Sequence, residues 1–248
     1  MNNNQWDKLA KKYHDEVVSP FYGNVDNPLI DELNNELNKD KSVAELGCGL
    51  FYLVKTLSKQ FKQVHGSDFS VAMVNLAKKN SKNLSNVDIK QEDMININYK
   101  EEFDTIISVN SLIMPSVNDI TKSLLNIHNA LKKDGNLLLI LPAMESVLYH
   151  GMLIYNNELK KRKESVAKRT AKTIFENNKY DLFLGYYKDG AETQKFYYEH
   201  EIKFLLKKTG FKYIKIKRVL YPWDKGVSDY EIFPKEERLW DWFVKVKK

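Results

Sequence analysis

Two glycines follow a short apolar segment in the stretch VAELGCGLFYLVKTL at residues 43–57. Gly47 and Gly49 form a Gly-x-Gly pair, and the acidic Asp68 comes later, after a second apolar segment. A strand, a Gly-x-Gly turn, a helix and then an acid are typical of nucleotide-binding α/β folds. Dinucleotide sites add a third glycine that allows close packing of the helix on the strand, but Tyr52 stands at that position here. The pattern therefore predicts an adenosine-type ligand without a pyrophosphate.

The glycine loop resembles the first motif of the class I S-adenosylmethionine-dependent methyltransferases, which is an acidic residue, any residue and then Gly-x-Gly-x-Gly. The matching residues are Glu45, Leu46, Gly47, Cys48, Gly49, Leu50 and Phe51. Phe51 stands where the family often has its third glycine. The resemblance implies S-adenosylmethionine as cofactor and S-adenosylhomocysteine as product, with the loop residues Glu45, Gly47, Cys48 and Gly49 at the cofactor. Cys48 is interpreted as a small filler and not as a nucleophile.

Acidic residues after the next two predicted strands match the order and spacing of the same family. The resemblance implies that Asp68 accepts hydrogen bonds from both ribose hydroxyls, a role that suits the two oxygens of a carboxylate. It also implies that Phe69 packs on adenine, that Asp93 accepts from the adenine amine, and that the Met94 backbone N–H reaches the ring. The alternative is that both aspartates only cap the helices that follow them.

The segment FDTIISVNSL resembles the family's fourth strand and the turn whose backbone carbonyls hold the methionine ammonium. This match places Val109, Asn110 and Ser111 near the sulfonium. The opening segment WDKLAKKYHD is similar to a helix that many members fold over the cofactor, with Tyr13 facing it; a core position for Tyr13 is the alternative. The resemblance covers about residues 5–142 and the closing strands.

Apolar segments alternate with helical patterns between residues 41 and 142. Strands are predicted at 43–46, 63–67, 87–90, 103–109 and 136–141, and helices at about 50–60, 70–80 and 117–132. Lys132 and Lys133 are expected in the last turn of the third of these helices. The alternation predicts a parallel sheet with helices on both faces, and a ligand crevice at the carboxyl ends of its first, second and fourth strands.

We interpret residues 1–248 as one domain. Its four parts are N-terminal helices at 1–40, a cofactor-binding core at 41–142, a helical substrate-covering insertion at 143–197, and a closing helix and strands at 198–248. The insertion shows no clear strand up to residue 195 and contains the basic helical run ELKKRKESVAKRTAK. The predicted fold class is α/β: a doubly wound, Rossmann-like sheet of seven mostly parallel strands with an antiparallel last strand.

The insertion and the late loop LYPWDKG flank the expected crevice and are rich in aromatic residues. They contain Tyr149, His150, Tyr155, Tyr186, Tyr187, Tyr197, Tyr198, Tyr221 and Trp223. Aromatic walls favour a small, partly apolar or cationic acceptor, and packing within a lid is the alternative interpretation. His150, His200 and Tyr198 are the candidate catalytic residues, since an amine or hydroxyl acceptor must lose a proton.

Some acceptor chemistries do not match the sequence. NSLIMPS stands where members that methylate base amino groups carry an Asn/Asp-Pro-Pro-aromatic motif. The only cysteine is Cys48 in the glycine loop, which argues against C5 methylation of pyrimidines. The five histidines are scattered, so we expect no metal site.

The composition is that of a folded protein, with 43% hydrophobic and 29% charged residues. The formal net charge of +6 would attract nucleic acid or acidic partners, but the lysines alternate with glutamates, which favours an ordinary lysine-rich surface. No apolar run approaches the roughly 20 residues that span a bilayer, and no leader pattern is recognised, so we expect a cytoplasmic location without membrane contact.

The sequence predicts a methyltransferase that uses S-adenosylmethionine on a small-molecule acceptor. Two alternatives stay open. One is a tRNA or protein methyltransferase that docks its substrate through the basic insertion, and the other is a catalytically inactive, cofactor-binding regulatory module.

Overall fold

The computed structural model describes residues 19–21, 23–34, 38–175, 179–189, 192–224 and 231–248. Its strands are β1 (Asn38–Leu46), β2 (Phe61–Asp68), β3 (Val87–Gln91), β4 (Phe103–Val109), β5 (Leu131–Pro142), β6 (Tyr180–Asp181), β7 (Tyr186–Asp189), β8 (Glu192–Lys195), β9 (Lys212–Tyr221) and β10 (Leu239–Lys247). Its helices are α1 (Pro28–Asn34), α2 (Val54–Gln60), α3 (Val71–Asn80), α4 (Val117–Ala130), α5 (Met144–Leu159), α6 (Glu164–Phe175) and α7 (Glu199–Lys208). The helix predicted around Tyr13 lies outside these residues.

Seven strands form the main sheet in the order β3-β2-β1-β4-β5-β10-β9. Strands β1 to β5 are parallel, and β10 runs antiparallel to both of its neighbours, β5 and β9. The chain order reverses between β1 and β4, which is where the crevice of a doubly wound sheet forms. The predicted fold class is confirmed.

Helices cover both faces of the sheet, so its central strands are buried on both sides. One core includes Ile106 of β4, Leu124 of α4 and Trp242 of β10. The core on the opposite face includes Leu57 of α2 and Phe243 of β10. Adjacent residues of β10 thus enter different cores, as the period of two along a strand requires.

The turns at the carboxyl edge end in serine caps that start the next helix. The Ser70 hydroxyl accepts a hydrogen bond from the Met73 backbone N–H at the start of α3. Ser116 does the same for the Asp119 N–H at the start of α4. Each cap satisfies a backbone N–H that has no partner within the helix, so the chain leaves the sheet edge at defined points.

Two predictions for the insertion were wrong. The chain is not free of strands there, because β6, β7 and β8 form a three-stranded antiparallel sheet. These strands have only two to four residues, too few to show an alternating pattern. The basic run is also not one helix: it breaks between α5 and α6, where Lys161 and Arg162 turn back to the buried Glu158.

The boundary between α4 and β5 also differs from the prediction. Lys132 and Lys133 lie in β5 and not in a helix, because α4 already ends at Ala130. Leu131 is buried and pairs with Phe103 of β4, and the Lys132 ammonium lies 2.7 Å from the Asp104 carboxylate. These partners are distant in sequence, so local helix signals do not report them.

Candidate functional site

The glycine loop after β1 depends on backbone conformations that favour glycine. Gly47 and Gly49 have φ angles of 71° and 51°, in the left-handed region. A Cβ atom on Gly47 would lie 2.4 Å from the Ser111 Cβ of the turn after β4. The loop therefore passes directly against the neighbouring turn, and a side chain at Gly47 would separate the two.

Asp68 connects this loop to the end of β2. Its Oδ2 accepts a hydrogen bond from the Gly49 N–H at 3.0 Å, and its Oδ1 accepts from the Ser70 N–H at 2.9 Å. The cap of α3 itself is Ser70, so helix capping does not account for the carboxylate of Asp68. Two backbone amides stabilise its position at the edge of the crevice.

Glu45 and Cys48 lie behind the loop, in the interior. Burial, with Asp68 nearby, raises the pKa of Glu45 to about 8. Its Oε2 has no hydrogen-bond partner among the described residues. Burial and the same two carboxylates raise the pKa of the Cys48 thiol, which favours the neutral form that a small filler would have.

The carboxyl ends of β1, β2 and β4 border one cavity of about 170 Å³. Its lining includes the residues expected at the cofactor, Gly47, Gly49, Asp68, Phe69, Asp93, Met94, Val109 and Asn110. Asp93 is exposed, and its Oδ1 accepts from the Ile95 N–H at 3.0 Å. The structure thus brings together groups from positions 47 to 110 of the chain, while Tyr13 lies outside the described residues.

Phe51 does not enter this crevice. Its φ of 57° is left-handed, which is the conformation that makes glycine common at this position in the resembling motif. The side chain is 1% exposed, and its ring packs over Gly66 of β2, where a Cβ would lie 2.4 Å from the ring. The phenyl group fills the core beneath the loop and leaves the crevice open.

One wall of the crevice comes from residues that the sequence analysis did not single out. Thr193 and Gln194 of β8 line it, together with Ile113 and Met114 of the segment after β4. The Lys195 N–H donates to the Ile113 carbonyl at 2.9 Å, which holds β8 against that segment. No local signal marks this contact, because the partners are about 80 positions apart.

The candidate catalytic residues do not line the crevice. His150 packs against the rings of Trp223 and Phe233, with centroids 6.0 and 6.1 Å away. Tyr198 stacks on His200 at 5.4 Å, and its hydroxyl donates to a backbone carbonyl. None of the aromatic side chains expected to form the acceptor wall is among the described residues that line this crevice. Several of them pack elsewhere, as Tyr149 does on Trp240.

Among the described residues, no group of three or more His, Cys, Asp or Glu side chains could hold a metal ion. No helix in the described ranges is long and apolar enough to cross a bilayer.

A left-handed glycine loop, a carboxylate after β2 and a seven-stranded sheet in this order define the class I S-adenosylmethionine-dependent methyltransferase fold. A family model described as a methyltransferase domain matches residues 43–135, from β1 to the first residues of β5. The chain therefore contains a segment, residues 43–135, that is similar to a methyltransferase domain, and its fold is shared with solved structures of S-adenosylmethionine-dependent methyltransferases.

Among curated proteins, the chain is 31% identical over 139 residues to the malonyl-[acyl-carrier protein] O-methyltransferase of Bacillus anthracis. That match covers 52% of this chain and 51% of the relative, so the chain spans about half the length of the curated relatives it matches.

Two solved structures show the same fold at low identity. A methyltransferase from Methanosarcina mazei gives a TM-score of 0.60 at 16% identity, over 90% of this chain and 97% of the other. The N-methyltransferase NodS from Bradyrhizobium japonicum WM9, in complex with S-adenosyl-L-homocysteine, gives 0.59 at 11% identity, over 99% and 97%.

Proposed function

We propose that this chain binds S-adenosylmethionine in the crevice at the carboxyl ends of β1, β2 and β4 and transfers its methyl group to a small molecule. The observation that carries the proposal is the contact between Gly49 and Asp68, which places a carboxylate next to a left-handed glycine loop. That arrangement combines close backbone approach with a hydrogen-bond acceptor for hydroxyl groups.

The residues around the crevice fit the parts of this cofactor. Each oxygen of Asp68 accepts a hydrogen bond from a backbone amide, and a carboxylate is the group suited to accept further hydrogen bonds from the two ribose hydroxyls. Phe69 and Met94 offer apolar contact to adenine, and Asp93 has an oxygen for the adenine amine. The turn at Val109 and Asn110 presents backbone carbonyls to the methionine ammonium.

When bound, S-adenosylmethionine would supply a methyl group attached to a positively charged sulfur. The acceptor atom would bond to the methyl carbon as the carbon–sulfur bond opposite to it breaks and a neutral thioether leaves. The protein contributes by holding the donor at one end of the crevice and the acceptor at the other, so that the transfer becomes effectively intramolecular. Ile113 and Met114 are apolar and help to exclude water from the reacting atoms.

The acceptor lies, in this proposal, between the turn after β4 and the wall formed by Thr193 and Gln194. Their hydroxyl and amide groups can donate hydrogen bonds to an acceptor oxygen. The curated relative from Bacillus anthracis is named malonyl-[acyl-carrier protein] O-methyltransferase. We therefore place oxygen nucleophiles first among the acceptor atoms to be tested on small molecules.

A carrier-borne or macromolecular acceptor is the second candidate. It is favoured by exposed cations on α6, namely Lys168, Arg169 and Lys172. Reversing the charges of Lys168 and Lys172 to Glu should raise KM for such an acceptor and leave the affinity for S-adenosylmethionine unchanged. A KM that rises steeply with salt for tRNA fragments, but not for a small molecule, would favour the nucleic-acid form of this candidate.

The first test is a calorimetric titration of the wild-type protein with S-adenosylmethionine and S-adenosylhomocysteine, with NAD as control. We expect the first two to bind and NAD not to bind. A screen of oxygen, nitrogen and sulfur acceptors with methyl-labelled cofactor then identifies the acceptor class. Failure of both cofactor forms to bind would overturn the proposal, and binding without turnover on any acceptor would favour the inactive regulatory module.

A further inference from the structure

A partly buried polar cluster lies behind the crevice, where β4 and β9 end and β10 begins. The Tyr221 hydroxyl donates to Asp241 Oδ2 at 2.6 Å, and the Asn110 side-chain amide donates to the same oxygen at 3.1 Å. A backbone hydrogen bond from Ala143 also reaches the Asp241 carboxylate. All three partners donate, and an ionised carboxylate, which only accepts, satisfies all of them.

Within the described ranges, no Lys or Arg side chain forms an ion pair with the Asp241 carboxylate. Burial raises the pKa of Asp241 above its ordinary value, although the three hydrogen bonds act to lower it. Buried charges are normally paired with an opposite charge. A cation bound in the adjacent crevice would supply the missing one.

Asn110 is the contact between this cluster and the crevice. Its φ is 47°, its backbone N–H donates to the Ile140 carbonyl at 2.8 Å, and the residue lines the crevice. Its side-chain amide points back to Asp241. The carboxylate of Asp241 is therefore separated from the crevice by one side chain, that of Asn110.

We propose that Asp241, held by Tyr221 and acting through Asn110, raises the affinity of the crevice for a cationic ligand. Because methyl transfer converts the sulfonium cofactor into an uncharged thioether, Asp241 favours the cofactor over its product. This inference rests on the proposed function, and it assigns a positioning and electrostatic role to a residue of the closing strands.

The test is the ratio of affinities for S-adenosylmethionine and S-adenosylhomocysteine, measured by calorimetry in wild type and in Asp241→Asn. Removal of a negative charge from behind the crevice weakens the attraction for a cation in it, and we expect the ratio to fall about tenfold. General loosening of the site would weaken both ligands equally and leave the ratio unchanged. Asp104→Asn is the matched control, since Asp104 is paired with Lys132 at the opposite end of β4.

A second variant keeps the test independent of the folding of Asp241→Asn. The double variant Asn110→Asp with Asp241→Asn exchanges the amide and the carboxylate, which retains one charge and moves it to the crevice wall. We expect its ratio to equal or exceed that of wild type. A ratio unchanged in Asp241→Asn, or lowered in the exchanged pair, would overturn the inference while the proposed function stands. Failure of wild type to bind either ligand would overturn both.

Discussion

Asp68 hydrogen-bonds to two backbone amides and also lines the crevice, so its substitution tests the site directly. We expect Asp68→Ala to weaken S-adenosylmethionine binding by about 2 to 3 kcal/mol, because charged hydrogen bonds to the ligand are lost and the loop loses an anchor. Calorimetry measures the affinity, and thermal melting confirms that the variant folds. Asp31→Ala, at an exposed position of α1, is the control. Unchanged binding in a folded Asp68→Ala protein would contradict this placement of the ribose.

Glu45 gives a prediction about pH. Its pKa is raised to about 8 in the fold, whereas the same group in the unfolded chain has a pKa near its ordinary value of 4.5. Between these values the unfolded state has lost the proton that the folded state retains, so the free energy of unfolding falls as pH rises through this window. Glu45→Gln should therefore stabilise the protein near pH 8 and have a much smaller effect near pH 5.

Urea denaturation at several pH values measures this difference. Glu102→Gln, at an exposed position, serves as the control and should keep the pH dependence of wild type. A Glu45→Gln protein whose pH dependence matches wild type would show that Glu45 is ionised in the fold.

At the scale of elements, Lys195 attaches the insertion to the core. Its side chain is 1% exposed, and its ammonium donates to the Leu184 carbonyl at 2.6 Å and to Glu201 of α7 at 2.8 Å. The same ammonium lies over the rings of Tyr186 and Tyr197, at 5.4 and 5.3 Å from their centroids. Lys195 thereby holds β8, and with it Thr193 and Gln194, at the crevice.

We expect Lys195→Met to lower the free energy of unfolding by about 2 kcal/mol, less than for a fully buried pair because Glu201 is partly exposed. Hydrogen exchange in β8 should accelerate, and KM for the acceptor should rise more than kcat falls. Lys188→Met, on the exposed side of β7, is the control. Adding Glu201→Gln should recover part of the stability, and no change in exchange at β8 would contradict this role.

The core strands and helices follow from the chain's alternating pattern, since each apolar strand and each amphipathic helix carries its own period. The pattern also predicted a crevice at the carboxyl ends of β1, β2 and β4, whereas the individual residues expected there came from the family resemblance. It did not anticipate β6 to β8, whose short strands depend on a contact between Lys195 and Ile113. The candidate catalytic roles of His150, His200 and Tyr198 had no positional signal. His150 lies in the insertion and the other two lie at the start of α7, and none of the three lines the crevice.

On the scale of the whole molecule, one sheet couples two cores. Leu124 of α4 is buried on one face and Leu57 of α2 on the other, and the sheet between them is continuous. Leu124→Ala and Leu57→Ala should each lower the free energy of unfolding by about 2 to 5 kcal/mol. Because the strands belong to both cores, we expect fluorescence and circular dichroism to report the same single transition in each variant. Separate transitions for the two faces would contradict this coupling.

The cytoplasmic location expected from the sequence stays a prediction, as does the small-molecule nature of the acceptor. The first concerns the cell and the second concerns the acceptor molecule, and neither is part of the folded chain. The formal net charge is +6, and part of the basic run is engaged by Glu158. Charge alone therefore identifies no partner, and the salt dependence of KM is the measurement that separates the candidates.

The sequence by itself determined the order of the α/β elements, the glycine loop and the carboxylates after β2 and β3. These features are encoded locally. The spacing of apolar residues marks the strands and helices, glycines mark the left-handed backbone positions, and acidic residues mark the ends of β2 and β3. Tertiary structure alone decided that Phe51 packs over Gly66, that β8 forms a wall of the crevice, and that Asp241 lies behind Asn110. Each of these is a contact between segments that are distant in the sequence, and such contacts form only when the assembled sheet brings the segments together.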